Sequence, residues 1–194
     1  HGLARSESSM DKLAQTLTDN GFMSVNLGYP SRDHAIELLA DKAITPALKA
    51  CDGTTMKHTT LIDTLNEALG WELRAINMYA HYAANVKGIH RLQLSPMFDG
   101  EATESLVHAS IVRKAVVKLQ GIPVTERNPH PITHTTDYAE MLQYSLETET
   151  KAAAVYGEVM IQLEAAADQD LSDAIEQIYL AELRSVEELR LLME

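Results

Sequence analysis

The chain has 194 residues, room for one ordinary domain and an appendage, and its 28 acidic residues outnumber 16 basic ones for a net charge of −12. Gripping nucleic-acid phosphates requires a basic stripe, so that class is excluded. One cysteine, Cys51, forbids an intrachain disulfide, and no apolar run approaches the roughly 18 residues of a membrane span, so a cytoplasmic protein without a membrane partner is expected.

Residues 8–17 have the spacing of a short amphipathic helix, with Asn20-Gly21 as its stop. Residues 22–27 (FMSVNL) alternate apolar and polar as a strand does, 28–31 (GYPS) read as a turn, and a second helix is predicted over 32–48. Helix, strand, turn and helix in that order are a piece of an α/β fold. The run HGLARSESSMDKLAQTLTDNGFMSVNLGYPSR resembles the early part of lipase-like α/β hydrolases, in which an HG turn helps to form the oxyanion hole. No G-x-S-x-G nucleophile elbow occurs anywhere in the chain, so the resemblance implies a truncated, inactive piece and hydrolysis is excluded. Residues 51–55 (CDGTT) read as a polar junction. The expected division is a hydrolase-like segment with its junction over 1–55 and a second domain over 56–194, with Met56 as that domain's original start.

From Leu61 the apolar register runs 61, 65, 68, 69, 75, 76, 79, 82, 83 and 86, which predicts a helix ending near Lys87-Gly88. Ser95-Pro96 offers an N-cap followed by proline at the first helical position. The helix that follows carries Met97, His108, Ile111, Val112, Ala115, Val116 and Leu119 inward and stops at Gly121. Residues 122–135 hold three prolines and no periodicity, too long a link for a helical hairpin, so a crossover along the bundle is expected. A third helix over 137–166 buries Met141, Leu142, Ser145, Ala152, Tyr156, Val159 and Leu163. A fourth, after residues 168–170, buries Leu171, Ala174, Ile175, Ile178, Leu189 and Leu192. The expected fold is all-α, a four-helix bundle with one long crossover preceded by a short α/β segment.

Acids interrupt these apolar stripes in a repeated pattern. Glu72 and Tyr79 recur 77 positions later as Glu149 and Tyr156, and the same offset sets Ser105 against Glu182 and His108 against Ser185. One inward glutamate is ordinarily a side chain that reaches back to solvent. Glu72, Glu149 and Glu182 on three helices with His108 on the fourth would together destabilise the core unless a shared cation supplied counter-charge. Carboxylates with imidazole and no nearby thiolate suit iron or manganese.

WELRAINMYAHY resembles the first helix of bacterioferritins and related ferritin-like proteins, and ESLVHASIVRKAVVKLQGIP resembles their second. LETETKAAAVY and AELRSVEEL resemble their third and fourth, so the likeness covers about residues 56–194. It implies a ferritin-like bundle with a di-iron carboxylate centre. Glu72 and Glu149 would be lone glutamate ligands, His108 a terminal ligand, Glu182 a bridging carboxylate, and Tyr79 and Tyr156 hydrogen-bond donors that orient the carboxylates.

This chain departs from the family pattern twice. Ser105 stands where glutamate is expected, with Glu104 a candidate for the bridging role and Glu101 a weaker one. Ser185 stands where histidine is expected, with no replacement on that face. An asymmetric site, or one holding a single metal, follows. Leu106 occupies the place of the bacterioferritin haem methionine, so no haem is expected. His81, His90, His130 and His134 are expected in solvent, and Met78 and Met160 in ordinary packing. The resemblance implies iron binding, Fe(II) oxidation by dioxygen or peroxide, and a homo-oligomer, either a dimer or a cage. The alternative is a non-catalytic scaffold bundle whose metal site has decayed, the reading Ser185 favours.

Overall fold

Apolar side chains recurring every three to four residues need one continuous face to bury, and the backbone supplies helices. The computed structural model describes residues 11–19, 24, 36–164 and 168–194. They form α1 (Asp11–Asp19), α2 (Ile36–Asn85), α3 (Arg91–Lys118), α4 (Tyr138–Glu164) and α5 (Gln169–Leu192), and no strand occurs among the described residues. The chain divides into two compact units, His1–Lys57 and His58–Glu194, the division falling within α2.

In the first unit, α1 covers most of the helix expected over 8–17, and the Ser24 hydroxyl donates to the Ala14 carbonyl at 3.0 Å. The predicted strand over 22–27 lies outside the described residues apart from Ser24, as do the turn over 28–31, the Asn20-Gly21 stop and the hydrolase-like His1-Gly2. The junction expected over 51–55 is helical backbone inside α2. Gly53 and two β-branched threonines together cost a helix only about 1–2 kcal/mol, which good helix formers on both sides can carry.

In the second unit the remainder of α2 joins α3, α4 and α5 in a four-helix bundle. α3 begins at Arg91, earlier than the Ser95-Pro96 start predicted from local sequence, and holds Pro96 within it. Tertiary contacts override the capping signal. Ser95 turns its hydroxyl back to the Ala83 carbonyl at 2.9 Å, and Arg91 donates to the Ala83, Ala84 and Val86 carbonyls. A guanidinium thus covers the free carbonyls and the negative dipole end of α2. Gly88 takes φ +72 in the turn between them, the left-handed region glycine enters freely.

The core consists of two apolar clusters. One holds Leu65, Leu69, Val112, Val116, Tyr156 and Ile178. The other holds Met78, Tyr82, Phe98, Met141, Leu142 and Leu189. Along each helix the polar inward residues fall between the members of these clusters, which places them in the middle of the bundle. Leu192, expected inward, is the last residue of α5 and is 50% exposed.

The crossover runs as a strap along α2. The Asn66 side chain donates to the Ile122 carbonyl and accepts from the Val124 amide, and one turn on the Gly70 carbonyl accepts from the Asn128 amide at 2.7 Å. A further turn on, Arg74 donates to the carbonyls of His130 and Pro131, and Tyr82 donates to that of Thr133. Residues 66, 70 and 74 form one row because an i, i+4 spacing keeps a helix face. A Cβ at Gly70 would lie 3.4 Å from the Asn128 nitrogen, an ordinary van der Waals contact, so the approach of the strap does not itself demand glycine.

Candidate metal centre

Glu72 on α2, His108 on α3, Glu149 on α4 and Glu182 on α5 are all buried, and they face one another from four different helices. His108 Nδ1 lies 2.9 Å from Glu182 Oε1 and 3.4 Å from Glu72 Oε1. One ligand atom from each of Glu72, His108 and Glu182 falls within 4.8 Å of the others. Glu149 completes the ring through a carboxyl–carboxyl hydrogen bond with Glu182. The repeated tyrosines cross between the halves. Tyr79 donates to Glu149 Oε1 at 2.5 Å, and Tyr156 donates to Glu72 Oε1 at 2.7 Å. The repeat at offset 77 is therefore a reciprocal pairing, in which each tyrosine orients the glutamate of the opposite half.

Burial governs the charges. Desolvation raises the Glu72 carboxyl above its ordinary value, against the opposing influence of His108 and Tyr156. Glu149 is raised well above the usual range by desolvation and then by the charge and hydrogen bond of Glu182. Desolvation likewise raises Glu182. Burial alone would discharge His108, yet hydrogen bonds and charges from Glu182 and Glu72 lift it to about 10. The metal-free centre thus holds its carboxylates with an imidazolium and protons. Desolvation and the nearby glutamates raise Tyr79 and Tyr156 well above 10, so both stay protonated donors.

The structure does not bring Glu104 into this cluster. Its side chain is 46% exposed, and Oε1 stands 3.8 Å from the outer nitrogen, Nε2, of His108. A residue four positions back lies about 40° round the helix, whereas one seven positions back lies only about 20° off. That residue is Glu101. Burial raises it to about 7, with the charges of Glu149 and Glu104 adding, and its Oε2 lies 3.4 Å from the Ser185 hydroxyl. Ser105 is buried on the inward face, and Ser185 is half-buried beside the centre. Among the histidines expected in solvent, His81 and His134 meet, Nε2 to Nδ1 at 2.9 Å. Met78 is fully buried, and Met160 packs partly buried against the core.

The pattern that defines the Ferritin-like domain matches residues 62–194. The chain belongs to the ferritin-like family. A crystal structure described as ferritin-like, diiron-carboxylate proteins from Bacillus anthracis str. Ames is 31% identical over 71% of this chain and 98% of that one, with a TM-score of 0.68. The bacterioferritin-related protein of Bacteroides fragilis, described as a dodecameric thioferritin, is 25% identical over 69% of this chain and 83% of that one, with a TM-score of 0.63. Among curated proteins none matches.

The ferritin-like donor set fits a metal ion. Two donors each about 2.1 Å from a first-row cation lie about 3 Å apart, comparable to the 2.9 and 3.4 Å between His108 Nδ1 and its two carboxylates. Hard oxygens with a single imidazole favour iron or manganese over softer ions. No helix among the described residues is long and apolar enough to cross a membrane.

Proposed function

We propose that the bundle binds iron between Glu72, His108, Glu149 and Glu182 and oxidises Fe(II), with dioxygen or peroxide as the electron acceptor. The observation that carries this is the buried Glu72–His108–Glu182 cluster, whose ligand atoms converge at mid-bundle and, among the described residues, form no ion pair with a lysine or arginine. Iron supplies the one-electron redox change, and manganese is the alternative occupant. Glu72 and Glu149 would each offer a carboxylate to the metal, each steadied by a tyrosine hydroxyl. Glu182 lies between them, able to shift its oxygens between partners. His108 presents Nδ1 inward, while Glu104 faces Nε2 and steadies the ring rather than ligating. The apolar clusters at either end restrict water. We also propose assembly into a homo-oligomer, dimer or cage, supported by the dodecamer described for the Bacteroides relative, and a cytoplasmic role in iron storage, detoxification or oxidative stress.

Ser185 favours the second reading, a scaffold with a degenerate site. The two separate when Fe(II) is added without oxygen and air is then admitted. The proposal expects ferric absorbance to develop faster than in protein-free buffer, by at least about tenfold, and to fall back in Glu72→Ala. A rate equal to that of protein-free buffer favours the scaffold.

A further inference from the structure

His81, in the last turns of α2, and His134, near the end of the crossover, take no part in the metal centre. His81 Nε2 lies 2.9 Å from His134 Nδ1, with His81 half-buried and His134 exposed. Two imidazole nitrogens this close need a single proton between them, with a donor on one side and a lone pair on the other. Asn85 sets the direction. Its Nδ2 donates to the His81 carbonyl at 2.7 Å and turns its second hydrogen towards His81 Nδ1 at 3.4 Å. Nδ1 of His81 therefore accepts, its Nε2 carries the proton, and His134 Nδ1 receives the hydrogen bond.

We propose that this contact is an acid-released clasp, which holds the end of the crossover on α2 until His134 takes a proton at Nδ1. A proton there removes the lone pair that the contact requires and sets two N–H groups against each other. The bond cannot reverse to suit, because a His81 ring accepting through Nε2 would carry its proton at Nδ1, against the Asn85 amide. Nor is the added charge offset, since among the described residues no carboxylate forms an ion pair with either ring. The titratable groups around the pair are engaged elsewhere. On α2, Tyr82 donates to the Thr133 carbonyl, and burial lifts it to about 12, so this tether keeps its proton. Arg74 is bound to the His130 and Pro131 carbonyls. On α4, Glu140 accepts from Thr135, while Tyr144 and Glu147 bear on Tyr82. At the head of α3, His90 stacks on Tyr138 at 3.9 Å. Histidine side chains ordinarily change charge between about pH 5 and 8, so the clasp holds at the upper end and is lost as pH falls. The metal-free centre responds in the opposite sense, because folding raises the proton affinity of His108 and Glu72. Loosening in acid that is confined to the crossover end is therefore specific to the clasp.

Limited proteolysis of the full chain with papain at about pH 7.5 and about pH 5 tests the clasp, each rate divided by that on the free peptide of residues 122–137 at the same pH. In wild type, normalised cleavage within residues 131–136 is expected to rise at least about fivefold in acid. Cleavage within residues 122–128, held by Asn66 and the Gly70 carbonyl, is expected to change less than about twofold. His81→Gln sets an amide where Nε2 stands, able to donate to His134 or to accept from it, so its rise is expected to stay below about twofold. His134→Asn puts an oxygen in the place of Nδ1 that accepts at either pH, and is expected to behave likewise. Circular-dichroism melts confirm that the variants fold. A wild-type rate that does not rise in acid would overturn the proposal. So would a rise shared equally by residues 122–128, or one of wild-type size in either variant.

Discussion

His108→Ala is expected to lower the stability of the metal-free bundle by about 3 kcal/mol near pH 6 and to abolish tight metal binding at the Glu72 end. Among the described residues, His108 is the one cation hydrogen-bonded to Glu182 and facing Glu72 within the buried ring. Without it, two desolvated carboxylates face each other with only protons to neutralise them. Proton uptake by one of them caps the loss, which is why the lower end of the range for breaking a buried ion pair applies. The pH dependence fixes the sign. His108 is raised from 6.5 to about 10, so its contribution is complete below pH 6.5 and disappears as pH rises through about 10. The raised carboxyls act in the same direction, because the native state holds their protons where the unfolded chain has released them. Urea denaturation of wild type and variant at a series of pH values should show a gap that is widest in mild acid and closes towards pH 10. A gap that is absent at pH 6, or that widens with pH, would show that His108 does not neutralise the ring.

Arg74→Met is expected to cost about 2–3 kcal/mol and to loosen the crossover without touching the metal centre. The guanidinium is buried and hydrogen-bonds Thr148 Oγ1 at 2.6 Å, the Pro131 carbonyl at 2.7 Å and the His130 carbonyl at 3.1 Å. Methionine fills much of the volume but donates nothing. The Pro131 carbonyl then loses its donor, while His130 retains Arg127 and Thr148 retains the Tyr144 carbonyl. The cost is thus one orphaned acceptor and the loss of charge-assisted bonds, less than a whole network. Hydrogen exchange should quicken at the Asn128 amide, which bonds the Gly70 carbonyl one turn away. Limited proteolysis within residues 122–135 should speed up alongside. Unchanged exchange and stability would mean that the strap is held elsewhere.

The helices of the second unit were legible because burial on one face imposes a period that apolar residues display directly. Glu72, His108, Glu149 and Glu182 stood out as violations of that period; all four are buried, and the structure draws Glu72, His108 and Glu182 together at mid-bundle. What the sequence concealed depended on contacts between elements. Arg74 looks like a solvent residue beside the stripe, and only the returning crossover makes it a buried anchor. Ser95-Pro96 carries a strong local start signal, yet the end of α2 recruits Ser95 and Arg91 for itself. The crossed tyrosine–glutamate pairs could not be read from either half alone, since each bond spans the repeat.

The measurement that bears most directly on the metal centre is an anaerobic calorimetric titration of the apo-protein with Fe(II), at pH 7, in two buffers of different protonation heat. Ligands must lose their protons to bind, and His108, lifted to about 10, holds one before metal arrives. The account predicts saturable binding with release of at least about one proton per chain, and affinity that rises with pH. Absence of saturable binding, or binding that Glu72→Ala leaves intact, would contradict it.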